Sequence, residues 1–208
     1  FLYLTNVYVS FLSPYVNELF SGCVLLASSF LGLRLAVGKN WKVLFRPLCR
    51  KDVLRVAAYV LGAMVVAGLI GGLLELFGSG LNDNPMTTKA SDPGAFTTYF
   101  SMRFQELFQL FGEEFLAILP FLAILHVATE MFGIQRKRGV IIAWICSSIV
   151  FGMLHLPTYD WNVLQCVLVI GGSRMMLTFP YIQTKNVWLS YFVHYFYDML
   201  VFTIAFFS

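Results

Sequence analysis

The chain alternates long apolar runs with short polar segments. A helix that crosses a bilayer needs about 20 mostly apolar residues, and several runs reach that length. The pattern predicts six membrane-spanning helices, at residues 11–33, 55–77, 107–133, 139–157, 162–182 and 187–207. No single run could bury its own polar groups. We therefore expect one all-α domain over residues 1–208, folded as a polytopic transmembrane helix bundle.

Composition supports an integral membrane protein over a water-soluble one. Hydrophobic residues make up 59% of the chain and charged residues only 12%, whereas about 25% charge is usual in soluble domains. The basic residues flank the apolar runs, which is a feature of membrane topology, so we expect no nucleic-acid partner. The four cysteines show no paired spacing and are interpreted as reduced packing residues.

The basic residues also predict the orientation of the bundle. They flank the first, third and fifth loops as Arg34, Lys39, Lys42, Arg46, Arg50, Lys51 and Arg55, then Arg136, Lys137 and Arg138, then Arg174 and Lys185. Only Lys89 and Arg103 fall on the opposite side. The positive-inside rule places the first group in the cytoplasm. The turn-rich linker at 78–94 and both ends of the given chain then lie outside.

The stretch at 96–111 has aromatic and leucine residues at helical spacing, with Arg103 and Glu106 between them. This pattern predicts an interfacial amphipathic start to the third span.

A few titratable residues interrupt the apolar runs. Glu113 and Glu114 stand side by side in the third span, His155 ends the fourth, and His194 and Asp198 lie in the sixth. A charge at the centre of a membrane helix costs roughly 2.5–3.5 kcal/mol, so each is a functional hypothesis. His194 and Asp198 are four residues apart and share a helix face. There the carboxylate can fix the tautomer of the imidazole.

Other interpretations of these residues remain open. Polar side chains can simply hold helices together through hydrogen bonds. A metal site built from Glu113, His155 and His194 would use plausible ligand types. The sequence contains no HExxH, no GxSxG and no GxGD within a span, which argues against three other protease classes. A transporter with a carboxylate proton relay is disfavoured because no inverted repeat is visible.

The order and spacing of the titratable residues resemble the CPBP family. These are the CAAX-processing and bacteriocin-processing intramembrane proteases, also called the Abi family. Their motifs EExxxR, FxxxH and HxxxN or HxxxD are similar to Glu113-Glu114, to Phe151-x-x-x-His155 and to His194-x-x-x-Asp198. The similarity covers about residues 106–203. The arginine of the first motif would fall at Ile118, so this sequence departs from the family there.

The resemblance implies a glutamate-type endopeptidase in which Glu113 activates a water with help from His155. His194 would donate to the oxyanion, and Asp198 would orient His194. Glu114 would complete the site. Without a cation at Ile118, we expect Glu114 to be neutral.

The resemblance also implies the setting in which this site would work. We expect no cofactor, a peptide or protein substrate at the membrane, and a multi-pass location in a bacterial cell membrane. The alternative within the family is a non-catalytic scaffold or bacteriocin-immunity-type member, favoured by Ile118.

Overall fold

A computed structural model describes residues 14–87 and 89–208, with every side chain except those of residues 14, 15 and 18. Residues 11–13 of the first predicted span lie outside this part of the chain. The described residues form helices and no strand. The six α-helices are α1 (Pro14–Val37), α2 (Arg50–Leu76), α3 (Ala95–His126), α4 (Arg136–Met153), α5 (Gly171–Thr184) and α6 (Val187–Phe207).

The predicted all-α transmembrane bundle is confirmed. The segments Leu19–Leu44, Arg50–Leu76, Ala95–Met131 and Val187–Phe207 are long and apolar enough to cross a membrane, judged by length and composition. Helices α4 and α5 are shorter, at 18 and 14 residues. A π-helical turn at Gln165–Ile170 runs directly into α5 and lengthens it.

The start of α3 differs from the prediction. The helix is continuous over 32 residues, and its polar residues Arg103 and Glu106 are only 4% and 2% exposed. They form an ion pair of 2.7 Å, with the guanidinium of Arg103 4.0 Å from the ring centroid of Phe202. A buried charge needs a partner, and these two residues supply one for each other. The prediction of an interfacial polar face is therefore wrong at these positions.

Helix α3 lies at the centre of the bundle and packs against α1, α4 and α6, while α2 packs against α5 and α6. The contact with α1 requires a glycine. A Cβ atom built at Gly112 would lie 2.9 Å from Leu25 Cγ and 3.1 Å from the backbone nitrogen of Leu26. This close approach fixes α3 immediately before its two adjacent glutamates.

A second close approach holds the end of α4. A Cβ atom at Gly152 would lie 2.2 Å from the carbonyl oxygen of Cys166 in the π-helical turn. Only glycine allows the two backbones to come so near. The contact places the C-terminal turn of α4, with Phe151 and His155, against the segment that leads into α5.

The main apolar core surrounds the part of α3 that follows the two glutamates. Ile118 is fully buried there with Phe115, Phe121, Tyr181 and Val187. Position 118, where the family motif has an arginine, is thus part of the hydrophobic core in this chain.

Candidate active site

The structure brings the predicted site residues together from three helices. Glu113 lies in the middle of α3, His155 in the turn after α4, and His194 and Asp198 on α6. All four line one cavity of about 670 Å³. Glu114 does not line this cavity: it is fully buried behind it and contacts His194.

Glu113 faces a smaller space as well. Its side chain lines a cavity of about 60 Å³ together with Glu106, Gln109, His155 and Asp198. Gln109 Nε2 donates a hydrogen bond of 2.9 Å to Glu113 Oε1. A polar cavity of this size is large enough for water. Glu113 and His155 therefore border a space in which a water could contact both side chains.

His155 is held in one tautomer by the helix that precedes it. Its Nδ1 lies 2.9 Å from the carbonyl oxygen of Phe151, and a carbonyl oxygen can only accept a hydrogen bond. Nδ1 must therefore carry the proton, and Nε2 of the neutral ring carries the lone pair. The ring of Phe151 packs against His155 at 4.8 Å between centroids and against His194 at 6.3 Å.

Glu114 is surrounded by donors from two other helices. Its Oε1 lies 2.9 Å from Arg174 Nη1 and 2.9 Å from His194 Nδ1. Its Oε2 accepts a hydrogen bond from Ser190 Oγ. A guanidinium keeps its charge in proteins, and such a partner favours the ionised carboxylate. The expectation that Glu114 lacks a cation and is neutral is wrong.

Asp198 lies next to His194 without a direct hydrogen bond. Its Oδ2 is 3.7 Å from His194 Nε2, beyond hydrogen-bond range. The carboxylate that contacts the ring directly is that of Glu114, on Nδ1. The direct bond from Asp198 that the sequence predicts is therefore not formed.

The pattern of basic residues assigns Arg174 to the cytoplasmic flank, yet the residue is fully buried at the site. The signal was its depth: Arg174 lies ten residues before the end of α5 at Thr184, which corresponds to about 15 Å of helix. An arginine that deep inside a span is a candidate for function rather than for topology.

The linker between α2 and α3 covers one side of the site. Asn84 lines both cavities and donates to the hydroxyl of Tyr159 at 3.0 Å. Asn82 donates to the backbone carbonyl of Tyr159 and exchanges two hydrogen bonds with Gln165. Burial raises the pKa of Tyr159, so its hydroxyl stays neutral as a hydrogen-bonding group.

Among the residues that the structure describes, no three His, Cys, Asp or Glu side chains are grouped to hold a metal ion. All four cysteines are free thiols in the structure, but only Cys166 is buried. The predicted packing role is therefore wrong for Cys23, Cys49 and Cys146, which are exposed.

The fold and the site define a polytopic membrane protein with a carboxylate–histidine site inside its helix bundle. The profile of the family described as Type II CAAX prenyl endopeptidase Rce1-like matches residues 95–200, about half of the chain. The chain belongs to this family, which confirms the CPBP resemblance. At the level of the family it is a CAAX-type intramembrane protease. No curated protein and no solved structure matches the chain.

Proposed function

We propose that the protein is an endopeptidase that hydrolyses a peptide bond with a water activated by Glu113. The observation that carries this proposal is the difference between two adjacent glutamates. Glu114 is fully buried and engaged by donors from Arg174, His194 and Ser190. Glu113 lines both cavities and accepts from Gln109. Of the two glutamates, this difference supports Glu113 as the one that meets a water and a substrate carbonyl.

Five side chains take part in the reaction. Glu113 takes a proton from the water, with His155 Nε2 accepting a hydrogen bond from the same water, and the resulting hydroxide attacks the peptide carbonyl carbon. His194 acts as the imidazolium: it is held through Nδ1–H by Glu114 and donates from Nε2–H to the oxyanion. The intermediate collapses, the C–N bond breaks, and protonated Glu113 returns its proton to the leaving amine. Asp198, beside His194 on α6, orients its ring.

The cavity also suggests a substrate class. Its wall on α2 contains small and apolar residues, among them Met64, Gly68 and Gly72. Such a wall suits an extended lipid chain beside a peptide, and the family description names prenyl endopeptidases. We therefore propose a prenylated peptide or protein as the substrate, in or at the bilayer. A leader peptide or a signalling-peptide precursor is the alternative.

The non-catalytic alternative depended on the missing cation at Ile118. Arg174 supplies a cation beside Glu114 from another helix, which weakens the reason for a scaffold or immunity-type role. The metal-dependent alternative is tested by treatment with EDTA or phenanthroline.

The experiment is cleavage of a quenched-fluorescent farnesylated CAAX peptide by the full chain in proteoliposomes. The same peptide without the farnesyl group, and a leader-peptide library, serve as comparison substrates. We expect Glu113→Gln to fold normally and to lose about 10²–10⁴-fold in kcat, the usual contribution of a general base. Glu130→Gln, an exposed glutamate in the turn after α3, is the matched control.

Cleavage by Glu113→Gln at the wild-type rate would refute the glutamate-base mechanism. Absence of cleavage of all three substrate types by the wild type would refute the proteolytic function itself. Cleavage of the leader library alone would replace the prenylated substrate with the alternative.

A further inference from the structure

Arg174 contacts all three motif segments of the site at once. Its Nη1 pairs with Glu114 at 2.9 Å and lies 3.1 Å from Nδ1 of His194. Its guanidinium carbon is 4.9 Å from the ring centroid of Phe151. These residues come from α3, α6 and α4, whereas Arg174 itself is on α5. One side chain therefore links four helices around the candidate site.

The orientation of the guanidinium is fixed from its own helix. Nε donates to Thr178 Oγ1 at 3.1 Å, one turn further along α5. A planar guanidinium held at Nε and at Nη1 has little freedom to rotate. Thr178 and Arg174 are both fully buried, so no water competes for these bonds.

The position that carries an arginine in the EExxxR motif holds no cation in this chain. Ile118 is one turn after Glu114 on α3, and it is fully buried in the apolar core with Phe115 and Tyr181. The cation beside Glu114 comes instead from α5, 60 residues away in sequence. Glu114 therefore has a positively charged partner, but α5 supplies it, whereas the motif has its arginine on the same helix as the glutamates.

We propose that Arg174 is the positioning residue of this site: it holds Glu114 ionised and oriented, and through Glu114 it aims His194 at the cavity. This inference rests on the proposed function, because it assigns Arg174 a role in that reaction. Arg174 touches neither the water nor the substrate carbonyl in this scheme. Its effect reaches the reaction only through the imidazole of His194.

The first test compares Arg174→Met with Arg174→Lys in the farnesylated-peptide assay. Methionine keeps much of the length of the arginine side chain but removes its charge, so Glu114 and His194 are no longer held in orientation. A small misplacement of a catalytic group typically costs on the order of 100-fold in rate. We expect that loss in kcat for Arg174→Met, with KM nearly unchanged. Arg174→Lys keeps the charge but loses the planar set of guanidinium donors. Its kcat should lie between those of the wild type and Arg174→Met. Lys137→Met, an exposed cation at the start of α4, is the control.

The second test moves the cation to the motif position. Ile118→Arg in the Arg174→Met background places a guanidinium four residues from Glu114, on the same helix face. We expect this double variant to recover at least about tenfold in kcat over Arg174→Met, which is part of the loss expected above. Ile118→Arg in the wild-type background adds a second buried cation next to Arg174. It should lower both kcat and the melting temperature.

A third variant covers the case in which a single substitution fails to fold. Glu114→Gln with Arg174→Met removes both charges and leaves no buried ion unpaired, so it should fold better than either single variant. It should nevertheless remain inactive, because nothing aims His194.

Wild-type kcat in Arg174→Met, or in this doubly neutral variant, would overturn the proposal. Lack of recovery by Ile118→Arg in a folded Arg174→Met protein would overturn it as well. The activity of Glu113→Gln distinguishes a failure of the proposed function from a failure of the role proposed for Arg174. If Glu113→Gln is inactive while Arg174→Met is fully active, the proposed function stands and the role of Arg174 fails. If Glu113→Gln is active, the proposed function fails first.

Discussion

His194 on α6 contacts Glu114 on α3 through Nδ1, at 2.9 Å and across 80 residues of sequence. An ionised carboxylate only accepts hydrogen bonds, so Nδ1 is the donor and Nε2 is the nitrogen directed away from Glu114. The family motifs are therefore joined by a side-chain contact that neither motif contains by itself. Glu114, the second glutamate of the pair, contacts His194 and lines neither of the two cavities.

This contact changes what is expected of Glu114→Gln. A neutral Glu114, as the sequence predicts, would make Glu114→Gln milder than Glu113→Gln, since a neutral glutamate resembles glutamine. The structure predicts a severe effect, because the variant leaves the buried charge of Arg174 uncompensated, which costs about 3–5 kcal/mol. We expect a lower melting temperature and loss of cleavage. Wild-type stability and activity in Glu114→Gln, measured beside Glu130→Gln, would contradict the ion pair.

Asp198→Asn should be better tolerated than Asp198→Ala. The 3.7 Å gap between Asp198 Oδ2 and His194 Nε2 means that the side chain acts on the imidazole without a direct hydrogen bond. Asparagine keeps the shape and an oxygen acceptor, and the family motif accepts Asn or Asp. We expect Asp198→Asn to keep most of the kcat and Asp198→Ala to lose about tenfold or more. Equal losses in the two variants would mean that the carboxylate charge itself is required.

Gly152→Ala should disrupt the bundle at the site. The added methyl group would lie 2.2 Å from the backbone carbonyl of Cys166, and a backbone atom cannot rotate away as a side chain can. Overpacking of this kind costs about 1–3 kcal/mol or more. Gly68→Ala, where the added atom meets nothing within 4 Å, is the matched control for melting temperature. Gly68→Ala should leave the free energy of unfolding unchanged or raise it by up to about 1 kcal/mol, because alanine has a higher helix propensity than glycine. Equal melting temperatures for the two variants would contradict the close approach.

Chelators should not remove activity if Glu113 and His155 activate the water. The measurement is the cleavage rate before and after treatment with EDTA or phenanthroline, followed by addition of zinc. Loss of activity that zinc restores would favour the metal-dependent alternative with Glu113, His155 and His194. Loss that zinc does not restore would point to damage to the protein, which its melting temperature can verify.

Orientation in the membrane is testable with single cysteines. The basic loops predict that Cys49, which is exposed before α2, faces the cytoplasm. Trp161, 69% exposed in the turn after α4, should face outside. In a protein with the other cysteines replaced by serine, an impermeant maleimide added to intact cells should label Trp161→Cys and not Cys49. The reverse pattern would overturn the topology and place the opening of the site on the cytoplasmic side.

The sequence determined the helices and the identity of the polar residues within them. Apolar runs of membrane length form helices in a bilayer because every backbone polar group must be satisfied within its own segment. The order of Glu113-Glu114, His155 and His194 along three of these runs was enough to indicate the family. These features depend on local spacing, which can be read along one chain.

Only the tertiary structure determined which buried charged side chains contact one another. Ile118 lies one turn from Glu114, so spacing along α3 indicated a carboxylate without a cation. The cation comes from Arg174 on α5, a helix whose rotation and depth depend on its packing against α2, α4 and α6. Arg103 and Glu106 likewise face inward because α6 offers Phe202 as a partner surface. Contacts between helices are set by how side chains interlock across them, and no periodicity within one helix records that.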